Sequence, residues 1–204
     1  MTFLQWFAGG LSTDLMEQLT FYGAYHANPT NQLIHIVFVP AIWFTAAVWL
    51  AYVGPPFFNL SLVAFVAYAA YYLVLDFDVA VVVNAIYFCL YLLANWIVAN
   101  EKSAASKLKR GPNAKPNAKA APSYRAAKIA LVVHVVSWAA QLLSHKYIEG
   151  RAAAVTQSFV QSLVLAPLFV FYEAAFFLFP AWRIEMQRDL HQGIAQRWLE
   201  LSKG

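Results

Sequence analysis

Four of the five histidines in this chain of 204 residues stand where an imidazole is costly. His26 and His35 flank an Asn28-Pro29 step at the mouth of a long apolar run, followed by the polar residues Thr30, Asn31 and Gln32. His134 and His145 lie in another apolar run, far along the chain. Ionisable side chains in membrane-type sequence are expensive and ask for a function. Imidazole is also the commonest protein ligand for metals, so the chemistry these positions suggest is metal binding. His191, among Arg188, Asp189 and Gln192, reads as solvated.

Helix geometry limits how these groups can meet. Eleven positions separate His134 from His145, an advance of about 1100°, which puts both on one face together with Trp138 and Gln141. The same eleven positions rise about 16 Å, whereas metal–nitrogen bonds are about 2 Å. A straight helix therefore cannot place both on one ion. Either the helix ends before Ser144 and the chain turns back, or there are two sites, or one histidine only supports. Nine positions separate His26 from His35, about half a turn out of phase. A continuous helix would point them apart, and the break at Asn28-Pro29 is what convergence needs, since the residue before proline disfavours helix.

Other charged groups read less sharply. Glu149 and Arg151, just after His145, read as an interfacial ion pair, and Asp76 and Asp78 as a short turn between spans. Glu173, inside PLFVFYEAAFFLFP, is a carboxylate within a span and hence a functional candidate, or the partner of a nearby base.

Hydrophobic residues make up 61% of the chain and charged residues only 12%, with a mean hydropathy of +0.54. A soluble domain carries about 25% charged residues, so the composition indicates an integral membrane protein. Apolar runs at 33–53, 57–75, 79–98, 126–143 and 159–182 approach the roughly 20 residues that cross a bilayer. They lack strand alternation, which predicts an all-α, multi-pass bundle of four to five spans forming one membrane domain over 1–204. Residues 1–25 are mildly amphipathic, with a helix start at Ser12-Thr13-Asp14, and predict an N-terminal interfacial helix. Residues 100–124, with the near-repeat PNAKPNAK, predict a disordered basic loop.

No Lys or Arg precedes Lys102; eight of the fourteen basic residues lie between Lys102 and Lys128, and four more lie in the tail, 183–204. Their bias places loop and tail in the cytoplasm and reads as topology rather than nucleic-acid binding. The absence of an N-terminal basic region argues against a cleaved signal peptide. The single Cys89 excludes an intrachain disulfide or a cysteine metal site. Phosphate-loop, GxSxG and HExxH signatures are absent, as are clustered histidine boxes.

The stretch FYGAYHANPTNQLIHIVFVPAIWF resembles the first signature of the fungal 2-hydroxy-palmitic acid dioxygenases. Trp138, Gln141, His145, Glu149 and Arg151, followed by FVQSLVLAPLFVFYE, resemble the second. The two blocks cover about a third of the chain, in matching order and spacing. Ser144 stands where the family has Gly, and Ala153 where it often has Pro. The resemblance implies an endoplasmic-reticulum membrane enzyme that uses Fe(2+) and O2 to shorten a long-chain 2-hydroxy fatty acid by one carbon. It implies His26, His35, His134 and His145 as the metal and catalytic set. Gln141 and Arg151 are candidates for holding the substrate carboxylate, by side-chain type and nearness to His145. The competing readings are a membrane scaffold with structural histidines and a haem-binding electron carrier.

Overall fold

The computed structural model describes residues 10–110 and 124–201, and among them all regular structure is helical. Seven α-helices are found: α1 (Leu15–Gly23), α2 (Pro29–Leu50), α3 (Leu60–Leu75), α4 (Phe77–Arg110), α5 (Arg125–Ser144), α6 (Phe159–Leu178) and α7 (Ile184–Leu201). A π-helical turn, His145–Glu149, prolongs α5, and a 3₁₀ turn, Ala154–Thr156, precedes α6. Four segments, built on α2, α4, α5 and α6, are long and apolar enough to cross a membrane, and α3 is a shorter apolar helix.

Local chemistry sets the boundaries. Asp14 caps α1 by accepting the Glu17 N–H at 3.0 Å. Asn28 caps α2 by accepting the Thr30 N–H at 2.9 Å, with Pro29 at the first helical position, where its missing N–H costs nothing. Asn59 caps α3 in the same manner. Pro40 lies inside α2, yet the helix runs through it unbroken.

α2 is the hub, packing against α3, α4, α5 and α6, while α1 lies across α6 and α7. Buried aromatic and small residues fill the centre: Trp43, Tyr72, Tyr87 and Tyr91 against Ala47, Ala80 and Ala94. An ion pair joins Asp76 at the α3–α4 junction to Arg183 ahead of α7, and Tyr172 also donates to Asp76 at 2.5 Å.

The disordered loop expected over 100–124 does not begin at 100: α4 continues to Arg110, and residues 111–123 lie outside the described residues. The continuation has a physical cause. The Glu101 carboxylate accepts the Arg125 and Ala126 N–H groups at 2.7 and 3.0 Å, capping α5. Lys102 donates to the Tyr52 carbonyl at 3.2 Å, beyond the end of α2. An anion at a helix start and a cation at a helix end both oppose the local dipole charge.

Candidate metal centre

His26 follows α1 in the connection to α2, His35 sits in the second turn of α2, and His145 opens the π turn. The fold brings these three together. Their ring centroids are 4.5 Å (His26–His35), 4.9 Å (His26–His145) and 4.8 Å (His35–His145) apart, with interplanar angles of 81°, 69° and 75°. Each is at most 4% exposed, and one nitrogen from each falls within 4.8 Å of the others.

Hydrogen bonds orient two of the rings. His26 Nδ1 lies 3.0 Å from the Tyr22 carbonyl and His35 Nδ1 lies 2.9 Å from the Asn31 carbonyl. A carbonyl only accepts, so each Nδ1 carries the proton and each Nε2 keeps its lone pair. Backbone carbonyls often hold metal-binding histidines in this way. His26 Nε2 and His145 Nδ1 are buried without a hydrogen-bond partner. Such orphaned atoms are costly unless something fills the space between them. Burial, and then the neighbouring His35 and His145, hold His26 well below the usual histidine range, against the pull of the Tyr22 carbonyl. His26 is thus neutral, the form that binds a metal.

A second layer of contacts locks the convergence. Glu149 accepts the N–H groups of Ala27 at 2.9 Å and Asn28 at 3.0 Å, and the Asn31 side-chain amide at 3.1 Å. Ser144 Oγ donates to Asn31 Oδ1 at 2.6 Å, and Gln32 donates to the His26 carbonyl at 2.9 Å. The Asn28-Pro29 break is therefore clamped to the end of α5, beside His145. The π turn places Glu149 for this task, and left-handed Gly150 closes it (φ 69°). The ion pair expected between Glu149 and Arg151 is not formed, because the Glu149 oxygens are taken by these donors. Asn31 and Glu149 were not among the expected site residues; a polar residue one helical turn before His35 and an acid four after His145 were the available signals.

His134, the fourth residue of the expected set, does not join the cluster. Trp138 Nε1 donates to His134 Nε2 at 3.0 Å, and His134 Nδ1 lies 2.7 Å from Thr45 Oγ1. Both ring nitrogens are engaged, and the helix between His134 and His145 does not turn back.

A cavity of about 500 Å³, within the range of small-molecule sites, adjoins the cluster. His26 and His145 line one end of it, and its walls are largely apolar. The stripe of His134, Trp138, Gln141 and His145 forms one wall. Gln141 Nε2 and Ser162 Oγ, both lining it, are buried without partners, so Gln141 faces the space as expected. The Tyr22 ring stacks on His26 at 4.4 Å and also borders the cavity. Burial above all, then Glu173 and Tyr87, push the Tyr22 phenol upward, so it stays protonated. Leu142 of α5 and Leu163 of α6 line the cavity from opposite sides; both are exposed, and the two helices barely meet. The cavity therefore reaches the surface at these two residues.

Arg151 does not line the cavity. Its guanidinium lies 3.5 Å above the Trp198 ring and donates to the Ala24 carbonyl at 3.4 Å, tying α7 to the connection before His26. Glu173 is buried beside Gln32 with neither oxygen hydrogen-bonded, and it does not line the cavity.

The donor set fits a metal. Three neutral imidazoles suit iron, copper, nickel or zinc, and three protein ligands leave positions open for other molecules. Nitrogens on one ion stand at most about 4 Å apart with bonds of about 2 Å, so a small closure of the cluster accommodates it. Haem fits poorly, because rings with centroids under 5 Å apart leave no room for a porphyrin between them.

The sequence pattern of the family described as 2-hydroxy-palmitic acid dioxygenase Mpo1-like matches residues 12–178. The chain is 31% identical over 195 residues to the 2-hydroxy-palmitic acid dioxygenase MPO1 of Saccharomyces cerevisiae, covering 93% of this chain and 96% of that protein. No solved structure matches the chain.

Proposed function

The chain belongs to the Mpo1-like 2-hydroxy-palmitic acid dioxygenase family, and from that premise we propose that it is an iron(II)-dependent dioxygenase of long-chain 2-hydroxy fatty acids. The observation that carries this reading is a cluster of three buried imidazoles, two of which line one end of a largely apolar cavity. An amphiphile with a small polar head and a long tail matches that division. The membrane it acts in is the endoplasmic reticulum.

His26, His35 and His145 would hold the ion, with Nδ1 protons of His26 and His35 pinned to carbonyls so that the lone pairs face inward. Iron(II) supplies the electron-transfer chemistry that lets dioxygen react with a carboxylic acid. The overall change balances without a further reductant: R–CHOH–COOH and O2 give R–COOH, CO2 and H2O. The C1–C2 bond breaks, and C2 is raised from alcohol to acid level.

The protein's own residues bind and orient. Gln141 Nε2 is a free donor for the substrate carboxylate, and Ser162 Oγ is a second polar contact at the wall. Tyr22, protonated and stacked on His26, offers its hydroxyl to the same region. Val39, Ile42 and Trp43 surround the acyl chain and exclude water. Holding head and tail together converts an encounter into a fixed geometry, the main service such a site gives to bond cleavage.

The direct test is anaerobic purification with Fe(II), followed by 2-hydroxypalmitate and oxygen. Pentadecanoic acid is the expected product, and His35→Ala and His145→Ala each abolish it. Full turnover in both variants would overturn the assignment.

A further inference from the structure

We propose that Trp49, His134 and Trp138 form the end wall of the acyl site and set the longest chain it accepts, a reading that rests on the fatty-acid assignment above. The cavity has a direction. The histidine cluster, with orphaned His26 Nε2 and His145 Nδ1 and with Gln141 Nε2 one turn from His145 on α5, fixes the head-group region, while the other orphaned lining atoms, Ser61 Oγ and Ser162 Oγ, lie on α3 and α6. α5 lines it from His145 to His134 and α2 from Val39 to Leu50, eleven positions each, or about 16 Å. A tail anchored at the histidines must run toward the His134 end.

That end is bolted in place. The Trp138 indole donates to His134 Nε2 at 3.0 Å, so His134 Nδ1 carries the proton and donates to Thr45 Oγ1 at 2.7 Å. The Thr45 hydroxyl then donates back to a carbonyl of its own helix, Ala41 or Ile42, at 2.9 Å. Every donor in this chain of bonds has an acceptor, which fixes the ring orientation and ties α5 to α2. Trp49 packs on the His134 ring at a centroid distance of 4.7 Å, and its indole donates to the Ala127 carbonyl at 3.1 Å. Two large rings with satisfied polar atoms do not swing aside for a longer tail. This role also accounts for an intramembrane histidine that is not a ligand: its nitrogens are consumed in holding the wall. Ala64, on α3, lines the cavity about one turn after Ser61, so a larger side chain there intrudes on the tail path.

Each methylene that enters such a space tightens binding about fourfold. Past the wall the gain stops, because a packed end resists overfilling. Binding to the purified protein is measured, without turnover, by displacement of a fluorescent fatty acid with saturated 2-hydroxy acids of increasing length. The wild type is expected to show a maximum. Trp49→Ala moves it to longer acids and Ala64→Phe to shorter ones, with at least tenfold changes for chains at the limits. Profiles of both variants that overlay the wild type, or affinity that rises without a maximum, overturn the proposal. The same series with unhydroxylated acids separates the two readings. If 2-hydroxy acids of every length fail to bind while plain acids show a maximum that the variants move, the substrate assignment falls and the end wall stands.

Discussion

Glu149 and Asn28 lie 121 positions apart in the chain, yet the Glu149 carboxylate accepts the Asn28 backbone N–H at 3.0 Å. The bond joins the break that separates His26 from His35 to the turn that carries His145. It makes the three-histidine geometry a property of two distant segments rather than of either one.

Removing that clamp should therefore act on the metal. Glu149→Ala is expected to lower iron affinity about 10- to 100-fold, the usual scale for outer-shell partners of metal ligands. Glu149→Gln, which keeps one acceptor oxygen, should fall between. Iron retention after dialysis against a weak chelator measures this, and equal retention in all three proteins would remove Glu149 from the role.

The histidines should divide into two classes. His26→Ala, His35→Ala and His145→Ala are each expected to lose near-stoichiometric iron. His134→Ala should retain iron and instead unfold at lower temperature, because Trp138 and Thr45 lose a shared partner, a loss of about 1–3 kcal/mol. Metal analysis beside thermal unfolding separates the classes, and iron loss in His134→Ala would restore it as a ligand.

Arg151 offers a contrast with the role its proximity to His145 suggested. With its guanidinium on Trp198, Arg151→Ala should leave KM for the 2-hydroxy acid unchanged and reduce stability by about 0.5–2 kcal/mol. A tenfold rise in KM with unaltered stability would return it to the carboxylate.

The sequence made the spans, the Asn28-Pro29 convergence and the His134–Gln141–His145 stripe legible because each follows from one helix or one break. The fate of His134 did not follow, since it depends on Thr45 presented from another helix. Glu149 read as half of a local ion pair because sequence proximity to Arg151 was visible and the N–H groups of Ala27 and Asn28 were not. The π turn leaves no compositional mark at all. Helix beyond Asn100 was hidden for a related reason: Glu101 and Lys102 look like loop charges until the ends of α5 and α2 arrive beside them.

The Asp76–Arg183 pair gives a pH signature away from the site. Burial pushes the Asp76 carboxyl up, but hydrogen bonds from Arg183, Tyr172 and the Val79 N–H outweigh it and hold the group below its usual range. A depressed carboxylate stabilises the fold above its ordinary value, and the gain is lost as pH falls through the folded one. Asp76→Asn should thus cost about 1.5–3 kcal/mol near neutral pH, and the gap to wild type should close below about pH 4. Parallel stability curves down to the acid limit would exclude the pair as a stabilising element.

The edge of the cavity at Leu142 and Leu163 has a kinetic corollary for the proposed function. A lipid that entered there from the bilayer would not cross water, so the abundance sensed would be a mole fraction within the leaflet. Added detergent or inert phospholipid would then slow turnover by surface dilution at constant bulk substrate, and saturation would track membrane composition rather than molarity.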